Sequence, residues 1–374
     1  MTDVTVSSST TTTPAIGAAA VASTPPLAKS ARQDLPRFLH ASEHLMVIGG
    51  RRVAAASGRT LPNTDPATEQ LLARVPRGEA ADVDDAVQAA QRAFADPSWS
   101  DITPDRRGRI LNQIADVIEQ NADELASIDS VNMGAPRMLT GHMLAEASEC
   151  FRYYAGWPTK LFGTNVPLSK DRVGYTRKEP LGVVGIIWGW NGPMGQLPGK
   201  LAPALAAGNT VVLKPAETAS LSTLRLAELL QATDLPAGVL NVVTGLGAEA
   251  GEALVAHPGV AKIAFTGSTA IGKHIQQVSA QTLKRVTLEL GGKSPTVVFA
   301  DADLRKAAAG AAAGFLGNAG QACVAGSRIF VHENIRDEFV ALLTEFMATV
   351  FAPGDPFTPG RSWAHCPPGP SSTG

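Results

Sequence analysis

The chain has 374 residues, 44% hydrophobic and 18% charged, and 32 Lys+Arg against 34 Asp+Glu leave a formal charge of −2. That apolar share supports a sizeable core and, at roughly 150 residues each, two or three domains, which excludes wholesale disorder. A near-neutral chain of pI ≈ 6.4 offers no basic field for nucleic acid, and no apolar run reaches the ~18 residues of a membrane span.

Residues 1–40 are rich in Ser, Thr, Ala and Pro, and are expected to form a disordered low-complexity tail. They lack the basic start and apolar block of a secretory signal. Globular composition begins at about 41. Val83, Ala86, Val87, Ala90 and Phe94 recur at helical spacing within 82–94. A second helix is expected over Thr103–Ala126, with Thr103 as cap before Pro104, and a third over Met143–Trp157. Residues 161–178 suggest two short strands around a Ser-Lys-Asp turn, either a surface hairpin or an arm that pairs with another subunit.

From Gly182 strands and helices alternate. Strands are expected at 182–187, 209–214, 238–243 and 261–266, and helices at 201–207, 221–232, 248–256 and 270–278. Apolar runs buried on both faces and separated by helices predict an α/β fold with a doubly wound, mostly parallel sheet of the Rossmann-like kind. The strand 295–300 and an Ala-rich helix over 303–316 open a second α/β domain. The expected division is therefore 1–40 tail, 41–160 with 179–290 as the dinucleotide domain, 161–178 hairpin, 291–360 part of a second domain, and 361–374 an unrelated end.

Cysteine is sparse: Cys150, Cys323 and Cys366 form no disulfide framework. A reducing compartment, the cytoplasm, fits that usage. The seven histidines have no metal-ligand spacing, and no metal site is expected.

Four stretches carry candidate chemistry. Gly267-Ser-Thr-Ala-Ile-Gly272 follows a strand and opens a helix, so backbone N–H groups there can meet a phosphate. Lys214 and Glu217 end another strand, where ligands of open α/β sheets bind and where they could grip ribose hydroxyls. Glu289, in Leu-Glu-Leu-Gly-Gly, is a candidate general base whose pKa partial burial would raise. Cys323, in Gly-Gln-Ala-Cys-Val-Ala-Gly, is a candidate nucleophile set among small residues.

The order and surroundings of these stretches resemble the NAD(P)-dependent aldehyde dehydrogenase superfamily, from roughly Leu45 to Gly360. Matching pieces are EPLGVVGIIWGWNGP, GKLAPALAAGNTVVLKPAE, LPAGVLNVVTG, IAFTGSTAIG, LKRVTLELGGKSP and GQACVAGSRIFV. The resemblance implies oxidation of an aldehyde to a carboxylic acid through a thiohemiacetal and thioester on Cys323. It implies Asn191 as oxyanion donor and Glu289 as the base that activates water. It further implies a cofactor site of Trp190, Lys214, Glu217, Gly247, Gly251, Phe265, Gly267, Ser268, Ile271, Gly272 and Leu290. Gly247 and Gly251 would lie close beneath the adenine. A carboxylate at 217 opposes a 2′-phosphate, so NAD is expected rather than NADP. The 161–178 segment resembles the family's oligomerisation arm, which implies a homo-oligomer.

Three departures stand out. Gly189 replaces a common proline before the Trp-Asn pair, and Gly192 replaces a frequent aromatic. After about Arg361 the likeness ends, whereas family members continue with an E-x-F-G-P motif and a last subunit-joining strand. The chain therefore reads as a C-terminally truncated member, expected to expose strand edges and an apolar face in its second domain. The competing readings are an inactive fragment that keeps a nucleotide-binding module, and a thiol hydrolase that uses Cys323 alone.

Overall fold

A computed structural model describes residues 35–351, 353–358 and 363–364 of the chain. The expected N-terminal tail lies outside these residues as far as 34. Residues 35–40 correct its boundary: Arg37–His40 forms a 3₁₀ turn, Leu39 is buried, and the Phe38 ring stacks on His44 with centroids 3.8 Å apart. Leu35, Phe38 and Leu39 supply enough apolar surface to dock the turn on the core. Of the expected unrelated end, 363–364 pairs with 353–354 as a short parallel ladder; the remainder lies outside the described residues.

The N-terminal region begins with four strands: β1 (Met46–Ile48), β2 (Arg51–Val53), β3 (Thr60–Thr64) and β4 (Leu71–Pro76). Gly49 and Gly50, with φ of 59° and 73°, form the left-handed turn that joins β1 to β2. Helix α1 (Ala80–Ala95) starts where Asp82 Oδ2 accepts the Glu79 N–H at 2.8 Å. After α2 (Pro97–Ser100), α3 (Pro104–Gln120) begins at Thr103, whose hydroxyl accepts the Arg106 N–H at 3.3 Å. The helix expected to run to Ala126 ends at Gln120. Asn121 leaves helical geometry and its side-chain amide donates to Val117 O at 2.8 Å, capping a terminal carbonyl. A new helix, α4 (Ala122–Met133), follows, then α5 (Arg137–Ala155). Residues 161–178 contain a hairpin of β5 (Asn165–Val166) and β6 (Gly174–Tyr175).

The sheet then builds in sequence: β7 (Val183–Ile187), α6 (Pro193–Gln196), α7 (Pro198–Ala206), β8 (Thr210–Lys214), α8 (Leu221–Leu229), β9 (Leu240–Val242), α9 (Glu252–Ala256), β10 (Lys262–Gly267), α10 (Thr269–Ala280) and β11 (Arg285–Leu290). The seven strands lie in the order β11-β10-β7-β8-β9-β1-β2, parallel from β11 to β9, with β1 and β2 added antiparallel. Alternation explains the unbroken apolar runs. Val211 and Leu213 face a layer built by α3, α4, α5, α7 and α8, while Val212 faces the opposite layer of α1, α9 and α10. The sheet is thus doubly wound, with helices on both faces. Chain order reverses beside β7, whose neighbours are β8 and β10. The carboxyl ends of those strands part there, which is where a doubly wound sheet leaves a crevice.

Beyond β11 comes a smaller unit: β12 (Pro295–Val298), α11 (Leu304–Leu316), β13 (Arg328–Val331) and α12 (Arg336–Val350). β12 and β13 pair in parallel with each other alone among the described residues. Val298, Ala308, Ala311 and Phe339 form its buried cluster, while Val297, Phe299 and Phe330 are each more than half exposed. No helix among the described residues is long and apolar enough to cross a membrane.

Candidate active site

The crevice at the β7/β10 reversal has a volume of ≈ 1360 Å³. Pockets for drug-sized ligands run to ~1,000 Å³, so this one has room for a dinucleotide with a small substrate. Its walls come from the carboxyl ends of β7, β8, β10 and β11, the first turns of α7 and α10, and the loop that carries Cys323.

At the β8 end, Lys214 is buried and its ammonium donates to Pro215 O at 3.0 Å and to Glu217 Oε2 at 3.1 Å. Burial lowers the Lys214 pKa, opposed by the Glu217 charge. Glu217 is half-buried, leaving a carboxylate facing the crevice. Its loop is bolted from behind by two buried amides. Asn63 Nδ2 donates to Glu217 O at 2.9 Å, and Asn132 Nδ2 donates to Thr218 O at 3.0 Å and Asn63 Oδ1 at 2.8 Å. These bonds span from β3 and α4 and leave the ribose-sized end little freedom.

At the β10 end, Ser268 caps α10 by accepting the Ile271 N–H at 3.3 Å. The first-turn N–H groups of a 12-residue helix therefore open on the crevice. A Cβ on Gly267 would lie 2.4 Å from the Phe265 ring, so a larger residue there would have to displace that aromatic wall. Such an arrangement suits a pyrophosphate. On the outer rim His274 Nε2 and Glu252 Oε2 lie 2.8 Å apart.

The opposite end gathers the candidate nucleophile, base and oxyanion donor. After β7 the chain turns through Gly189-Trp190-Asn191-Gly192 into α6. Asn191 Nδ2 donates to Gln321 O at 2.7 Å, joining this turn to the loop of Cys323. The Met194 N–H donates to Asp129 Oδ2 at 3.1 Å, anchoring α6 on a buried carboxyl group of α4. Burial pushes the Asp129 pKa up to about 7, against the opposing Met194 bond. Lys200 of α7 places its ammonium 5.7 Å from the Trp188 ring centroid. Burial lowers its pKa and the charge of Glu289 opposes that shift, which puts lysine and glutamate within electrostatic reach. Cys323 is exposed at the crevice mouth, and its backbone lies against Gly292, whose added Cβ would sit 3.3 Å from Cys323 O.

The fold brings nearly all of the sequence-derived candidates to this one crevice: Trp190, Asn191, Lys214, Glu217, Gly247, Gly251, Phe265, Gly267, Ser268, Ile271, Glu289, Leu290 and Cys323. Two readings need correction. Gly272 does not line the crevice; it is buried beneath Leu290, whose Cδ2 would lie 2.7 Å from a Cβ there. Glu289 is the penultimate residue of β11 and exposed rather than partly buried, because β11 is the open edge of the sheet. Lys200, Gln196, Glu252 and His274 also line the site and were not singled out from sequence. Lys200 lay within a quoted motif (GKLAPALAAG); His274 and Glu252 meet only through the α9/α10 packing and carry no local signal.

A profile of the Aldehyde dehydrogenase family matches residues 53–364. Phenylacetaldehyde dehydrogenase of Pseudomonas fluorescens is 48% identical over 308 residues, covering 80% of this chain and 61% of that protein. Retinal dehydrogenase 2 of Homo sapiens is 46% identical over 306 residues, covering 81% and 59%. The solved NAD⁺ complex of an aldehyde dehydrogenase from Bacillus cereus superposes with a TM-score of 0.85 at 42% identity, over 88% of this chain and 68% of that one. The chain spans about three fifths of the length of the curated relatives it matches.

Proposed function

Because the chain belongs to the aldehyde dehydrogenase family, we propose that its crevice binds NAD and supports oxidation of an aldehyde to a carboxylic acid, with Cys323 as nucleophile. The observation that carries this reading is the convergence of Cys323, Asn191 and Glu289 at one end of a crevice whose other end holds Lys214, Glu217 and the α10 N-terminus. The residues present fit a dinucleotide: N–H groups for a pyrophosphate, and Lys214 with Glu217 for ribose hydroxyls. A carboxylate at 217 opposes the 2′-phosphate of NADP, which favours NAD.

When bound, NAD supplies the two-electron acceptor that takes hydride from the substrate carbon. The protein's own groups do the rest. The Cys323 thiolate forms a bond to the aldehyde carbon, and the carbonyl oxygen becomes an alkoxide. Asn191 Nδ2 and the Cys323 N–H donate to that oxygen; one such donor is typically worth ~3–4 kcal/mol in the transition state. Departure of hydride restores the C=O bond and leaves a thioester. Glu289 takes a proton from water, which adds to the thioester carbon, and the C–S bond breaks to free Cys323 and the acid. Overall, aldehyde, water and oxidised dinucleotide give carboxylate, reduced dinucleotide and two protons.

The arm at 161–178 carries exposed Val166, Leu168, Val173 and Tyr175, which supports its reading as a subunit-pairing hairpin. Sparse cysteine supports a cytoplasmic location. The exposure of Cys323 and Glu289 favours a second reading, in which the chain binds the dinucleotide without turnover. NADH formation from NAD and a panel of aldehydes tests the first reading, with Cys323→Ala as control. Turnover that disappears in the variant supports it. NAD binding with no turnover selects the second reading, and absence of both rejects the two together.

A further inference from the structure

We propose that Asn318 is a positioning residue: it locks the turn that carries Asn191 to the loop that carries Cys323, so that oxyanion donor and nucleophile keep one relative placement. The proposal deepens the reading above and rests on Asn191 acting as the oxyanion donor.

Asn318 bridges two segments far apart in sequence. Its Nδ2 donates to Asn191 O at 2.7 Å and to Gln321 O at 3.2 Å. Asn191 Nδ2 in turn donates to the same Gln321 O at 2.7 Å. Main chain and side chain of Asn191 are therefore both tied to the Cys323 loop. An amide nitrogen carries two N–H bonds. With one spent on Gln321 O, Asn191 retains one for a substrate oxygen, and its direction is set by the bridge.

The side chain of Asn318 is suited to this task and held in one orientation. The residue is only 8% exposed. Its Oδ1 is a buried atom without a hydrogen-bond partner among the described residues. Flipping the amide would set that oxygen against two carbonyl oxygens, so the donor orientation is the one the site accepts. The backbone is committed as well. Asn318 and Ala319 are both left-handed, with φ of 54° and 57°. Asparagine tolerates this region better than most residues, whereas alanine pays a Cβ clash of roughly 1–2 kcal/mol. Two such residues in succession turn the chain back at the end of α11 and aim the Asn318 amide beneath the Cys323 loop.

Two reactions at the same sulfur separate positioning from loop integrity. Acetylation by p-nitrophenyl acetate forms an S–C bond and expels p-nitrophenolate through a tetrahedral oxyanion. Alkylation by iodoacetamide forms an S–C bond and expels iodide with no oxyanion. Neither requires NAD or turnover, and mass spectrometry of peptides reads Cys323, Cys150 and Cys366 separately. Asn318→Ala and Asn318→Asp are expected to slow acetylation of Cys323 about tenfold or more. Its alkylation is expected to stay within about twofold, and Asn191→Ala should give the same signature. Acetylation and alkylation falling together, acetylation left unchanged, or faster labelling of half-buried Cys150 in both Asn318 variants would each overturn the proposal. If Asn191→Ala itself leaves the ratio unchanged, the oxyanion role falls and takes this proposal with it. If Asn191→Ala lowers the ratio and the Asn318 variants do not, only the role of Asn318 falls.

Discussion

The doubly wound sheet and the unit of residues 295–350 meet at the same crevice, yet they are built on different scales. The sheet is covered on both faces, and its strands β7, β8 and β9 are buried throughout. In the smaller unit β13 alternates exposed and half-buried positions, β12 buries only its last residue, Val298, and the buried cluster comprises Val298, Ala308, Ala311 and Phe339. Stability rises with buried apolar area, so the two regions should open independently, with the smaller one first. The lesson is one of function as well. The elements proposed to hold a dinucleotide sit on the firm layer, whereas Cys323 sits on a loop of the weaker one.

The sharpest way to break that contrast is Phe339→Ala. Deleting a buried Phe costs about 3–5 kcal/mol, and Phe339 is 1% exposed at the centre of the small cluster. Amides of α11 and α12 should lose hydrogen-exchange protection while those of α3 and α5 keep theirs. Loss of protection in both regions at once would mean a single cooperative unit.

Asp129 tests the firm layer. Its folded pKa is raised from 3.8 to about 7. The native state thus holds a proton that the unfolded chain has released between about pH 4 and pH 7. The resulting penalty is absent at pH 4, grows as pH rises through that window, and is complete above pH 7. Asp129→Asn, whose amide oxygen can still accept the Met194 N–H, should therefore gain roughly 1–3 kcal/mol over the parent at pH 8 and little at pH 4. Denaturant unfolding at both pH values checks this; a pH-independent difference would contradict it.

Smaller effects sharpen the site itself. Glu217→Gln should narrow the preference for NAD over NADP by about tenfold, or ~1.4 kcal/mol, read as the ratio of the two dissociation constants. An unchanged ratio would remove the carboxylate from the discrimination. Smallest of all, Phe330→Thr should alter stability by no more than about 0.5 kcal/mol, because Phe330 is 54% exposed on the open face of the smaller unit. A larger loss in equilibrium unfolding would mean that this face is covered in solution.

How much of this was legible in the sequence follows from burial. β7 and β8 stand out because both of their faces are buried, leaving Val/Ile/Leu-rich runs, and β10 by its apolar Ile-Ala-Phe centre. β1 is only three residues long, and β2 to β4 carry Arg, Asn and Pro, so no apolar period announces them. The break at Asn121 depends on a side-chain bond to Val117 O, which periodicity does not register. α12 shows a similar gap: around the buried Phe339 its polar and apolar positions are mixed, so no clear period announces it. Within the site, strand-end positions such as Lys214 and Glu289 could be placed from topology alone. Exposure could not: it depends on β11 being an edge strand, a property of the assembled sheet. Asn318 carries no local sequence signal, because the contacts it makes arise from a left-handed backbone and a partner at Asn191.

A crystal structure of the chain grown with NAD addresses the central claim most directly. The adenosine ribose is expected at Lys214 and Glu217, the pyrophosphate at the N-terminus of α10, and the nicotinamide between the Cys323 sulfur and the Glu289 carboxylate. A dinucleotide bound elsewhere, or one whose nicotinamide points away from both side chains, would contradict it.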